Sequence, residues 1–196
     1  MFLAVGCLPS EHALVGGRCD ASHLCGGTLT CFDGVCLAEA PGRVNLLTNG
    51  DFEQGASGWD ALGASLAEGV TGGRSSSHAL WVHGDSTRPS SSSPLGVKQD
   101  LAPPSPETTY CATAQLQSTA PVSLLFKRYS FDGGYDNIER QALPSGGWTQ
   151  VTVTARNQPP YYEAFYLRLS RPYAPDAGFL VDDVSAWIST DGGCEP

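Results

Sequence analysis

An all-β protein is predicted here: an antiparallel β-sandwich of the jelly-roll type, preceded by a small disulfide-rich module. Three observations predict it. Short segments alternate apolar and polar residues with period 2, as in Tyr110, Ala112, Ala114 and Leu116 against Cys111, Thr113, Gln115 and Gln117. No stretch repeats apolar residues at helical spacing over three turns, and the 23 Gly and 14 Pro in 196 residues interrupt the chain too often for long helices. Seven cysteines, four of them between residues 8 and 40, point to an oxidising compartment.

At the N-terminus, residues 1–7 (Met1-Phe2-Leu3-Ala4-Val5-Gly6-Cys7) are apolar and end in small residues before a cysteine. They resemble the tail of a bacterial lipoprotein signal, which implies lipidation at Cys7. They lack a basic n-region and are short for a signal, so a longer signal that begins upstream is expected. Setting Cys7 aside leaves six cysteines, an even number.

Residues 8–40 carry Cys19, Cys25, Cys31 and Cys36 in the spacing C-x5-C-x5-C-x4-C, with turns at Gly26-Gly27 and Asp33-Gly34. A piece this short buries too little apolar surface to fold unaided. Two disulfides, each worth ~2–4 kcal/mol, would hold it. Of the three possible connectivities the interleaved one, Cys19–Cys31 with Cys25–Cys36, is favoured. Zinc is the competing reading, disfavoured because no C-x2-C or C-x3-C pair of cysteines occurs. Ala40-Pro41-Gly42 reads as a linker.

Residues 44–190 form the predicted sandwich, with strands at 44–48, 78–83, 95–101, 108–117, 121–131, 148–155, 161–170 and 178–188. Between them, residues 84–96 read as a long loop. In the last strand Leu180, Val184, Ala186 and Ile188 share a face under strict period 2, and Asp182 falls on it. A carboxylate there is costly unless neutralised. A metal ion held jointly with Glu53 would do this; hydrogen bonds from an arginine such as Arg43, with Glu53 solvated, would be the plainer solution. Residues 191–196 form a tail; Cys111 and Cys194 are left over as a pair, and a bond between them would pin it.

The net charge of −9 argues against nucleic acid or an anionic membrane surface as partner. No segment approaches the ~20 apolar residues of a transmembrane helix, so membrane association is expected only through a lipid anchor. Motifs of acyl transfer, zinc proteolysis or nucleotide binding are absent from the sequence.

The motifs Asn45-Leu46-Leu47-Thr48-Asn49-Gly50-Asp51-Phe52-Glu53 with Gly58-Trp59, Ala79-Leu80-Trp81-Val82, Thr109-Tyr110-Cys111-Ala112-Thr113-Ala114, Gly147-Trp148-Thr149-Gln150-Val151 and Phe179-Leu180-Val181-Asp182-Asp183-Val184 follow one another in order. Together they resemble the carbohydrate-binding modules of families 4, 9, 16 and 22. The resemblance implies a galactose-binding-like jelly roll and a structural calcium between first and last strands. Its ligands would be Glu53 and Asp182, with carbonyls from Asp51 and the loop around Gly73 to Ser76. Calcium takes 6–8 oxygens, which two carboxylates, carbonyls and water can supply.

Sugar-binding sheets offer aromatic rings to pyranose faces and polar groups to hydroxyls. Alternation leaves Trp81, Gln115, Tyr166 and Arg168 off the core faces. In strand 121–131 one reading turns Arg128 outward; the opposite register turns out Lys127 and Tyr129. Were these strands to share one sheet, Trp81, Gln115, Arg128, Tyr166 and Arg168 would line a single groove, with Tyr135 in the loop closing one end and Tyr161 and Tyr162 near the other. Trp59, Trp148 and Trp187 are assigned to packing. The expected protein is thus a non-catalytic, calcium-stabilised binder of polysaccharide on the outer surface of a bacterium. The alternative is an adhesion or structural protein that uses the same sandwich to bind protein; a small glycan-active enzyme is a distant third.

Overall fold

The structure is a computed structural model that describes residues 30–32, 35–37, 44–63, 65–85, 87, 93–159, 162–174, 177–189 and 193–194. The chain divides into two compact units, residues 1–43 with Pro196 and residues 44–195. In the first, β1 (Thr30–Phe32) and β2 (Val35–Leu37) form an antiparallel hairpin with Cys31 directly opposite Cys36. Cys7, Cys19 and Cys25 lie outside the described residues.

The second unit is an antiparallel sandwich of two five-stranded sheets. Its strands are β3 (Asp60–Ala61), β4 (Ser65–Thr71), β5 (His78–Gly84), β6 (Leu95–Leu101), β7 (Thr109–Ser118), β8 (Val122–Ser130), β9 (Tyr135–Ala142), β10 (Ser145–Arg156), β11 (Tyr162–Arg171) and β12 (Gly178–Ser189). Sheet I has the order β10-β7-β12-β5-β4 and sheet II the order β3-β6-β11-β8-β9. Leu80, Val82, Ala112, Ala114, Leu116, Phe179 and Val181 of sheet I are buried against Val97, Leu124, Phe126, Phe165, Leu167 and Leu169 of sheet II. Tyr110 and Phe165 touch across the interface, ring centroids 5.0 Å apart. Alternation in the central strands has its cause here, since each presents one face to this layer.

Two expectations are corrected. Residues 44–48 are not a strand. Leu46 N does donate to Ala186 O at 2.7 Å, but the next ladder position is filled by a side chain, Asn45 Oδ1 accepting from Ala186 N at 3.0 Å. The last strand does not keep one face throughout. Phe179 and Val181 point inward and Leu180 outward; a register shift between Asp182 and Ser185, with Asp183 at φ +48°, then turns Val184 and Ala186 inward. A bulge adds a residue and reverses parity, so Asp182 shares no face with Val184.

The opening motif docks on this bulge. Val184 N donates to Gly50 O at 2.8 Å, and a Cβ on Gly50 would stand 1.9 Å from Val184 O. Only glycine permits that approach. On the outer face of sheet I, Cys111 and Cys194 are disulfide-bonded, Cα atoms 5.4 Å apart, and cluster with Trp187.

Candidate functional site

The outer face of sheet II gathers the most ligand-ready chemistry among the described residues. Cross-strand registers place Tyr129 opposite Tyr135, Tyr166 opposite Lys127 and Asp100, and Arg168 opposite Lys98 and Leu125. Tyr129 stands 5.9 Å from Tyr166 and 6.1 Å from Tyr135 between ring centroids, with tilts of 45° and 48°. The Tyr129 and Tyr166 hydroxyls are 3.3 Å apart. Tyr135 is 62% exposed, and Phe131, at the tip of the β8–β9 hairpin, is 78% exposed.

Cations are woven through these rings. Lys127 Nζ lies 4.2 Å from the Tyr135 centroid, 5.2 Å from Tyr129 and 6.0 Å from Tyr166, while Lys98 Nζ is 5.2 Å from Tyr166. Lys98 is paired with Asp100 at 2.8 Å and Asp60 at 3.5 Å; the bond to Asp100 outweighs burial and raises its pKa. Burial works to lower the Lys127 pKa, but its contacts with the Tyr129 and Tyr166 hydroxyls prevail and raise it. Tyr129 is made more acidic, first by the hydrogen bond with Tyr166 and then by Lys127, whereas burial makes Tyr166 less acidic. Both lysines therefore stay charged at neutral pH.

The expected single groove does not exist. Trp81 (β5) and Gln115 (β7) belong to sheet I, while Tyr135, Tyr166 and Arg168 belong to sheet II, so the two groups stand on opposite outer faces. Trp81 lies over Gly178, whose added Cβ would meet the indole at 2.4 Å, and stacks on His83 with centroids 5.9 Å apart. Gln115 is buried and donates to Gln150 Oε1 at 3.1 Å. Arg128 faces inward with Leu124 and Phe126. It forms a two-pronged ion pair with Asp136, donates to Arg156 O at 2.8 Å and lies 4.1 Å from the Tyr162 ring. Period 2 alone places residues 124, 126 and 128 together, and so could have turned out Lys127 and Tyr129 at once. Tyr162 lies opposite Ser130 and thus at the same end as the 131–134 turn, not the other; Tyr161 lies outside the described residues. Lys98, Asp60 and Asp100 were not foreseen: β3 has no readable pattern, but in β6 period 2 applied from Leu95, Val97 and Leu101 would have turned Lys98 and Asp100 outward.

A second cluster sits where the opening motif meets β12. Asp182 is fully buried; Oδ2 accepts from Arg74 N at 2.6 Å and Oδ1 from Asp183 N at 2.8 Å. Burial raises its pKa against those two hydrogen bonds. Ser76 Oγ lies within 3.5 Å of Asp51 O, His78 O and both Asp182 carboxylate oxygens. One hydroxyl proton cannot serve four acceptors. Among the described residues a main-chain N–H, that of Arg74, bonds Asp182 and no arginine side chain does; Arg43 lies outside them. Glu53 is not free in solvent: Oε1 accepts from His78 N at 2.8 Å and Oε2 is 3.1 Å from His78 Nδ1, bonds that lower its pKa. The Asp51 carboxylate instead accepts from Glu53 N at 3.4 Å. Asp183 accepts from Ser75 Oγ and pairs with Arg74 at 3.4 Å.

No protein-family model matches the chain, and no curated protein sequence matches it. Solved structures share its fold. The CBM22-1 xylan-binding domain of Paenibacillus barcinonensis Xyn10C superposes with a TM-score of 0.59 at 17% identity, covering 76% of this chain and 97% of that domain. A family 16 carbohydrate-binding module gives 0.57 at 18% identity, over 72% of this chain and 99% of the module. TmCBM61, solved with β-1,4-galactotriose, gives 0.51 at 16% identity, over 74% and 99%. The sandwich is thus the one used by these modules.

Proposed function

We propose that this protein is a non-catalytic glycan-binding module whose ligand lies across Tyr129, Tyr135 and Tyr166 of sheet II. The observation that carries the reading is the grouping of three tyrosine rings on one outer sheet face, ringed by Lys98, Lys127, Arg168, Asp100 and Asn137, the last on β9 opposite Lys127. Such rings offer large contact area with little rotamer entropy to lose, and the flanking polar groups fix the orientation of sugar hydroxyls. Similar solved structures are named as xylan-binding or hold β-1,4-galactotriose, which supports the same use of this sandwich. Affinity electrophoresis through native gels containing a panel of polysaccharides tests it: at least one should retard the protein, and Tyr135→Ala should weaken that binding about tenfold, the loss expected of a well-packed aromatic contact. No retardation in any gel would sink the reading.

The Ser76 cluster is proposed as a calcium site. Among the described residues no three His, Cys, Asp or Glu side chains converge, so a cation here would be held by carboxylates together with carbonyl and hydroxyl oxygens, the donors calcium prefers. Asp182, Asp51 O and His78 O fit this role as they stand; Glu53 would join by leaving His78. The ion would offset the buried charge and tie the opening motif to β12. A place outside the cell, anchored through Cys7, is proposed with it; the Cys111–Cys194 disulfide supports an oxidising setting.

A further inference from the structure

The chain carries a net charge of −9, yet the middle of the tyrosine face is cationic. Arg168 stands directly opposite Lys98 on β6, an arrangement that costs stability when both are charged. Lys98 is compensated by Asp100 and Asp60. Arg168 has no ion pair among the described residues, and its Nε is buried without a hydrogen-bond partner. An orphaned guanidinium N–H on a binding face is a costly feature for stability alone. Lys127, one position diagonally away, meets three tyrosine rings and has no carboxylate within ion-pair distance among the described residues. Two uncompensated cations therefore border the aromatic platform. The acids of this face are Asp60 on the edge strand β3, Asp100 on β6 opposite Tyr166, and Glu139 on the other edge strand, β9; Asp60 and Asp100 are both paired with Lys98.

Resting on the glycan-binding reading, we propose that the ligand is an acidic polysaccharide whose uronate carboxylates are received by Arg168 and Lys127 while its rings stack on the tyrosines. A guanidinium fork matches a carboxylate in two parallel hydrogen bonds, and the ammonium of half-buried Lys127 adds a point charge beside it. Asp60, Asp100 and Glu139 on the same face would repel a chain of dense charge, which favours carboxylates set within a sugar chain over a sulfated polymer.

The full chain is run through native gels holding polygalacturonate or glucuronoxylan, each beside its carboxyl-reduced derivative, with neutral xyloglucan and dextran sulfate as further lanes. At least one uronate polymer should retard the protein, carboxyl reduction should abolish the effect, and added NaCl should weaken it. Arg168→Gln combined with Lys127→Met should raise Kd at least about tenfold, with Arg168→Lys recovering part of the loss because it keeps charge without the fork. The wild-type comparison of acidic with reduced polymer decides the matter even where a variant folds poorly. Equal retardation by acidic and reduced forms, or by xyloglucan alone, overturns the acidic ligand and leaves glycan binding standing. Dextran sulfate acting as strongly as the uronates reduces the effect to polyanion attraction and overturns it too. If no lane retards the protein, both readings fall.

Discussion

Arg128 and Lys127 are neighbours in sequence with opposite fates. The strand carries Arg128 inward to the rim of the core, where Asp136 holds both prongs of its guanidinium, and leaves Lys127 on the tyrosine face. Burial works to raise the Asp136 pKa, but hydrogen bonds from Arg128 and Tyr162 outweigh it and depress it. A depressed carboxylate contributes stability that is complete above its unfolded value of about 3.9 and lost as pH falls through the lower folded value. Asp136→Asn should therefore lower the urea midpoint at pH 7 and flatten its fall between pH 5 and pH 2; a variant with the wild-type acid profile would refute this. The outward residue is tested separately. Tyr135, at 62% exposure, carries little packing, so Tyr135→Ala should leave Tm within about 2 °C while weakening glycan binding, because surface substitutions rarely exceed ±0.5 kcal/mol. At this scale the sequence was legible where period 2 was applied strictly to an unbulged stretch of strand. Tyr166 and Arg168 were placed on an outward face by it, whereas Arg128 was misassigned when its shared parity with Leu124 and Phe126 was overlooked.

Among the elements, the informative one is β12. Its inward positions change parity at the Asp182–Ser185 irregularity, and the same bulge receives Gly50. Gly50→Ala would drive a methyl group into Val184 O, which stands 1.9 Å from the added Cβ, so the backbone must move. A loss of roughly 1–3 kcal/mol is expected from overpacking of this kind, read as a lower urea midpoint with unchanged slope; an unchanged midpoint would mean that the opening motif is not docked there. Bulges are set by local twist and by what lies against the strand, and alternation counted along the chain passes straight through them. The missed strands have a related cause. β4 and β9 are sheet-edge strands whose residues are mostly exposed or half-buried. With little of either face buried, no apolar alternation is required, and their pairing is dictated by β5 and β8.

For the molecule as a whole, the two ends of the sandwich meet at Asp182, whose full burial demands compensation. If calcium supplies it, the ion stabilises the fold by mass action: millimolar calcium should raise Tm over that in EGTA, and Asp182→Asn should remove the difference. Equal Tm values for the wild type in both conditions would sink the site. Cys111 and Cys194, 83 residues apart in sequence, provide a second long closure. Cys111→Ser with Cys194→Ser should cost roughly 2–4 kcal/mol without altering glycan binding, since the bond lies on sheet I and the tyrosines on sheet II. Reduced retardation in the polysaccharide gels, with the variant folded, would contradict that separation.

By itself the sequence determined the sandwich, its central strands and the need to compensate Asp182, though not the face that residue takes, because these depend on period-2 burial, turn residues and a charge that cannot be left bare. Which strands share a sheet was decided only by the tertiary structure. Strand order depends on pairings between segments tens of residues apart, and no local pattern encodes that Trp81 and Gln115 go to one outer face while Tyr166, Arg168 and Tyr135 go to the other. The tyrosine cluster with Lys127 and Lys98 arises from that partition, since its members come from four strands that meet only when the sheet has formed.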